Sequence, residues 1–260
     1  MKLSFSILRK QWLLFILLPL TSCVWAQDDP LKAGVFYNHL KPNKDGTETI
    51  LKGSTTFFEQ FEVLAIRLAT QPGPPAKDFS SSNEELIIVR EGELNVKINE
   101  QNKLIDPGSM AFIIPGDMVH FENGGKDPVT YYRLRFKSKL PMDHTKAKNA
   151  GGSFIINWND VVAKETDRGA RRDFFNRPTA SCSKFEMHVT TLNEGLSSHF
   201  PHTHPEEEII LLLMGEAVMQ IDDHEYPASP GALVFLPSMI PHALKNVGKG
   251  SCQYFAFQWK

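Results

Sequence analysis

Three imidazoles and a carboxylate stand at spacings that suit a metal ion. His202-Thr203-His204-Pro205-Glu206-Glu207-Glu208 is followed by Gly215, and His242 lies within the segment that runs from Gly231 through Pro237 to Asn246. His202, His204 and Glu208 share parity, so on an extended strand their side chains leave one face. His242 follows another apolar run and would converge on that face from across a barrel. Such a set suits one divalent transition metal, with Mn, Fe, Ni, Cu and Zn all open, and leaves positions for water or substrate in a six-coordinate ion. An ion of this kind polarises a carbonyl, lowers the pKa of a bound water, or binds oxygen if it is Fe or Cu. His199 is three residues from His202, on the opposite parity, and reads as a surface or loop residue. Glu206 and Glu207 read as a solvated turn.

Further residues could serve a substrate. Arg171, Arg172 and Arg177 cluster at the start of the second half, and Arg suits bidentate recognition of carboxylate or phosphate. His188, Tyr254 and Gln258 lie on apolar runs. Glu186, His188 and Thr190 share one parity, and Phe185, Met187 and Val189 the other. If the apolar set packs the sheet interface, His188 faces the opening; on a barrel whose interior binds a polar ligand the assignment reverses. The candidate substrate-binding set is therefore Arg171, Arg172, His188, Tyr254 and Gln258, and no catalytic residue is assigned.

Short strands must position these groups. Residues 61–68, 86–90, 94–98, 110–114 and 129–136 are β-branched or aromatic and bounded by turn residues. The series recurs at 185–192, 209–213, 216–221, 232–236 and 253–259. One short helix is expected over 158–168. The halves align: Glu85 with Glu208, Gly92 with Gly215, Pro107-Gly108 with Pro230-Gly231, His120 with His242, Asn123 with Asn246 and Tyr131 with Tyr254. An offset held between 122 and 124 marks a duplication. The implied division is a first barrel at 27–137, a polar linker at 138–152 and a second barrel at 153–260. In the first copy Phe79 and Ser81 stand where the second has His202 and His204. Glu85 and His120 alone survive, too few to hold a catalytic ion.

The two ligand segments resemble the paired motifs of the cupin superfamily. Residues 202–215 match the HxHxxxE motif with its following glycine, and Gly231, Pro237, His242 and Asn246 match the second motif. Met239 stands where the family usually has Gly, and Gly195 is one residue further from His202 than the motif prefers. The resemblance covers both copies and implies an all-β bicupin, two tandem antiparallel jelly-roll barrels. It implies a metal at His202, His204, Glu208 and His242, but no reaction class. One expectation is an enzyme that isomerises or ring-opens a small, oxygen-rich, carboxylated substrate such as a uronate. The alternatives are a quercetinase-type dioxygenase and a non-catalytic periplasmic binder. An aminohydrolase resembling those for ureidoglycine ranks lower, because its ligand pattern is rearranged.

Composition sets the compartment and partners. Lys2, Arg9 and Lys10 precede the apolar run 12–20, which is shorter than the ~20 residues a membrane span needs. Residues 1–26 read as a secretory signal, cleaved after Ala26 or, as a lipoprotein, before Cys23. The protein is thus expected to be periplasmic or extracellular, and to meet a membrane only if lipidated at Cys23. Loss of the leader takes three positive charges and moves the formal charge from −2 to −5. An acidic chain without a basic patch is not a nucleic-acid binder. The expected partner is a small molecule, and exposed barrel edges leave a homodimer open. Cys182 and Cys252 either pair or remain buried thiols.

Overall fold

The computed structural model describes residues 29–38, 45–70 and 78–260. The expected leader, with Cys23, lies outside them. Each copy folds as one large and one small antiparallel sheet. In the first copy, the large sheet has the order Phe154–Ile156, Met110–Ile113, Glu84–Glu91, Val129–Ser138, Phe58–Leu68, Gly46–Gly53. Its small sheet runs Phe79–Ser80, Met118–Asn123, Leu94–Ile98, Gln101–Ile105. In the second copy, the large sheet runs Gly34–Phe36, Leu233–Leu236, Glu207–Met214, Cys252–Trp259, Phe185–Leu192, Gly169–Arg177, Lys164–Thr166. Its small sheet runs His224–Ala228, Ala217–Ile221, His242–Asn246. The fold is all-β, two tandem jelly-roll barrels, as the resemblance to cupins implies.

Each half of the sequence lends a strand to the other. Gly34–Phe36 pairs with Leu233–Leu236 of the second barrel, and Phe154–Ile156 pairs with Met110–Ile113 of the first. The segment 138–152 is not an extended tether: it carries the helix His144–Asn149, whose first turn is capped by the Asp143 side chain accepting from Lys146 N. The helix expected over 158–168 is absent. Trp158–Asp160 makes one 3-10 turn, and Lys164–Thr166 pairs with Gly169–Arg177 as a hairpin. Among the described residues no helix is long and apolar enough to cross a membrane.

Period-2 alternation gives each large sheet two different faces. One lines its own barrel. The other packs against the opposite barrel, where Phe58, Phe61, Phe136, Phe185, Phe235 and Trp259 form a common core. Trp259 lies 5.4 Å from Phe58 and 5.2 Å from Phe61, ring centre to ring centre. Phe185, Met187 and Val189 belong to this core, which turns Glu186, His188 and Thr190 toward the second barrel's interior. Cys182 and Cys252 are free buried thiols, not a disulfide. Burial pushes both thiol pKa values up, that of Cys252 to about 11.

Adjacent glutamates use the two faces in the same way in both copies. Glu84 is fully buried and accepts hydrogen bonds from Thr179 Oγ1 (2.9 Å), Ala180 N (2.7 Å) and Ser181 N (2.9 Å) of the second half. Its counterpart Glu207 accepts from Thr56 N (2.6 Å) of the first half and from Trp259 Nε1 (2.9 Å). Glu207 is therefore no part of a solvated turn but one arm of a reciprocal clamp between barrels. Glu206 is also buried, and pairs with Lys260 at 2.9 Å and Lys184 at 3.5 Å.

Candidate metal centre

The ligand residues converge by backbone pairing between loops and strands rather than by parity along one strand. The strand Glu207–Met214 begins too late to contain His202 or His204, so only Glu208 projects from it. His242 opens the strand His242–Asn246 in the small sheet. His202 joins His242 through an isolated bridge: His202 N donates to His242 O at 3.2 Å, and His242 N donates back to His202 O at 3.1 Å. The loop bearing His204 is hooked from the other side, where Met239 N donates to His204 O (2.9 Å) and Ser238 Oγ to Pro205 O (2.8 Å). Met239 adopts φ 65°, left-handed, where the first copy has Gly116 at φ 92°. This strained position for a side-chain-bearing residue is retained in the turn that fixes the ligand loop.

The donor chemistry fits a cation. His204 Nδ1 donates to Glu206 O at 3.0 Å and His242 Nδ1 to Ile240 O at 2.9 Å, which leaves each Nε2 with its lone pair. Both Nε2 atoms lie 3.2 Å from the same oxygen, Glu208 Oε2. His242 Nε2 is buried and has no hydrogen-bond partner, because its approach to that oxygen lacks hydrogen-bond geometry. Buried acceptors crowded together call for a positive charge among them. Without an ion, protons supply it. Glu208 raises the His204 pKa, and although burial raises the Glu208 carboxyl, His204 and His242 hold it down to about 2. Burial, with His242 and His204 nearby, lowers the His202 pKa, and the neutral form is the one a metal requires.

Two trios of donors share His242: His204, Glu208 and His242, and His199, His202 and His242, with ligand atoms within 4.8 Å in each. His199 is therefore not a bystander on the far side of a strand. Its ring centre is 3.9 Å from that of His202 and it lines the same cavity. Parity failed here because 197–202 is a loop, in which alternation does not apply.

The cavity holds about 230 Å³ and is lined by His199, His202, Glu208 and His242 of the donor cluster together with Arg171, His188, Tyr254 and Gln258. Arg171 donates to Asp173 Oδ1 (2.6 Å) and Glu186 Oε1 (2.8 Å). His188 Nδ1 is buried, 3.4 Å from Glu186 Oε1. The His188 contact, aided by Lys184 and Arg171 and opposed by burial, holds the Glu186 carboxyl at about 2. Burial pushes the Tyr254 phenol well up, with Thr190 and Ser198 acting to lower it. Arg172 does not reach the cavity. Its guanidinium stacks on Trp158 at 4.6 Å and bonds Val161 O. Arg177 likewise caps Ala150 O and Gly152 O and stacks on Phe154 at 3.7 Å. Both are consumed in packing the segments that join the barrels.

The first barrel answers the equivalent carboxylate differently. Glu85 is fully buried and takes bidentate hydrogen bonds from Arg133, at 2.8 and 2.9 Å. The guanidinium lies 4.5 Å from the ring centre of Phe79, the counterpart of His202. Arg133 aligns with Ala256, opposite Ile87 as Ala256 is opposite Ile210. A fixed cation thus meets Glu85 where the second barrel leaves room for a mobile one. His120 is not the structural counterpart of His242: Val119 stands opposite Phe79 as His242 stands opposite His202, and His120, in the place of Ala243, pairs with Asp78 at 3.0 Å and Glu122 at 3.5 Å. Among the described residues both possible ligand trios belong to the second barrel.

Residues 188–257 match the cupin domain model, which spans the cavity wall, the donor cluster and the last strand. No curated protein matches the chain in sequence. Solved structures share its fold across both barrels. A candidate glyoxylate-induced protein of Pseudomonas aeruginosa is 21% identical with a TM-score of 0.67, over 86% of this chain and 83% of that one. AerE from Microcystis aeruginosa is 16% identical at 0.61, over 86% and 98%. A mutant of the Bacillus subtilis oxalate decarboxylase is 10% identical at 0.60, over 89% and 78%. At these identities the likeness shows fold alone. Residues 188–257 match the cupin domain family, and the two-barrel fold of the whole chain is the one these solved structures share.

Proposed function

We propose that the second barrel is the catalytic half of an exported, metal-dependent enzyme that isomerises or ring-opens a small, oxygen-rich, sugar-derived substrate. The observation that carries this reading is one 230 Å³ cavity that combines metal-type donors with a buried imidazole, a phenol and an amide on its walls. His202, His204, Glu208 and His242 would hold the ion, which supplies a Lewis acid for a carbonyl or hydroxyl oxygen. Tyr254 stays neutral through burial, and Gln258 offers both donor and acceptor, so the pair suits hydroxyl groups. His188 is the base. Glu186 Oε1 lies 3.4 Å from its Nδ1, a contact without hydrogen-bond geometry, and Nε2 is the nitrogen we assign to accept a proton from the substrate. Arg171 already bonds two carboxylates, so the wall carries little surplus positive charge. Polyhydroxylated carbonyl compounds fit this balance, with a uronate as the acidic case. The basic and apolar leader supports export, which N-terminal sequencing of the mature protein tests.

Protein reconstituted separately with Mn, Fe, Ni and Zn should turn over at least one member of a panel of keto-sugars, aldo-sugars and uronates. His188→Asn should keep its ion and lose that turnover. Inertness with every metal overturns the reading. Oxygen uptake on flavonols or enediols would replace it with a dioxygenase, and ligand-raised melting without turnover with a binder.

A further inference from the structure

We propose that His199 is a fifth protein ligand of the ion, so that a six-coordinate metal in this barrel has one open position rather than two. This rests on the second barrel being a metal centre. Three observations carry it. First, His199 shares a donor trio with His202 and His242, while His242 also belongs to the trio with His204 and Glu208. His242 has only Nε2 to give, since Nδ1 is spent on Ile240 O. One lone pair serves one ion, so the ion that His242 Nε2 takes is the ion that either trio would hold, and His199 stands in donor range of His202 and His242 around it. Second, His199 is set up as the other ligands are. Its Nδ1 donates to Phe200 O at 2.9 Å, as His204 and His242 donate to Glu206 O and Ile240 O, and this arrangement fixes the tautomer that presents Nε2 to a metal. Third, the loop that carries it is held down. Ser198 N donates to Leu244 O at 2.8 Å, Leu244 N approaches Ser198 Oγ at 3.3 Å, and bridges at Ser197–Lys245 and His202–His242 flank the imidazole on both sides.

The consequence concerns the substrate. A single open position admits one oxygen atom, and a substrate that chelates through two must displace His199 from the ion. The histidine then guards the second position against bidentate anions.

The test uses the mature protein loaded with Cu(II), with coordinated imidazoles counted by pulsed EPR. Four are expected in the wild type and three in His199→Ala, while His224→Ala, an exposed control, stays at four. Zn affinity should fall at least about tenfold in His199→Ala, the lower range for lost support at metal sites. His199→Gln repeats both measurements, with circular dichroism confirming the fold of each variant. A count of three in the wild type, or a count and affinity unchanged by His199→Ala, overturns the proposal. A wild type that takes up no stoichiometric ion overturns the metal reading beneath it.

Discussion

Replacing Arg133 with Met tests whether the first barrel has exchanged an ion for a side chain. The Glu85 side chain is wholly buried, and it meets Arg133 at 2.8 and 2.9 Å and Arg135 at 3.5 Å. Removing one partner of a buried pair strands the other charge and costs about 3–5 kcal/mol. Met keeps the aliphatic stem against Phe79 but gives up the cation–π contact, about 0.5–1 kcal/mol. Arg135 is 38% exposed and already near Glu85, so it compensates in part and holds the loss to about 3 kcal/mol, the lower end of that range. The double variant Arg133→Met, Glu85→Leu removes both charges and should recover most of the loss. Urea unfolding of the wild type, both single variants and the double variant gives the coupling directly. A loss below about 1 kcal/mol in Arg133→Met, or no recovery in the double variant, would refute the idea of a buried carboxylate that depends on this guanidinium. Metal stoichiometry should stay at one ion per chain throughout, since Phe79, Ser81 and Val119 leave Glu85 as the one ligand type at the four equivalent positions of the first barrel.

The converse substitution, Ala256→Arg, places a guanidinium diagonal to Glu208, as Arg133 stands to Glu85, and should abolish stoichiometric metal uptake in a folded protein; full metal content by elemental analysis would contradict it. Glu207→Ala should cost about 2–3 kcal/mol by leaving Thr56 N and Trp259 Nε1 without their charged acceptor, and an unchanged urea midpoint would show that the clamp is not stabilising. The Glu186 carboxyl titrates near 2 in the folded protein against 4.5 when unperturbed, so its stabilisation is complete above pH 4.5 and fades as pH falls toward 2. Glu186→Gln should therefore flatten the stability profile across that window, and urea midpoints with identical pH slopes in both proteins would rule this out.

Phe185–Leu192 and Cys252–Trp259 were legible because alternate positions are apolar, Phe185, Met187 and Val189 in one and Phe255, Phe257 and Trp259 in the other, and they lie where the sequence puts them to within a residue. Gly169–Arg177, next to the edge strand Lys164–Thr166, was not: three arginines and an aspartate surround its Phe174-Phe175 pair and break the alternation. The spacing of His202, His204, Glu208 and His242 was readable, but the parity argument attached to it assumed a strand that starts only at Glu207, and this hid His199. The consecutive glutamates were misread for a different reason. Their partners come from the other barrel, and no local window contains Thr56 and Glu207 together. The internal alignment did contain the needed signal. Both copies present a Glu-Glu pair at the start of the same strand, and period-2 alternation sends its members to opposite faces. Glu84 and Glu207 face the neighbouring barrel and have equivalent partners in both copies, which binds the halves into one body. Glu85 and Glu208 face inward, and there the copies part: Arg133 answers one and histidines the other. Where a duplicated carboxylate keeps its environment it serves the architecture, and where its counter-charge has changed type the two halves have taken different work.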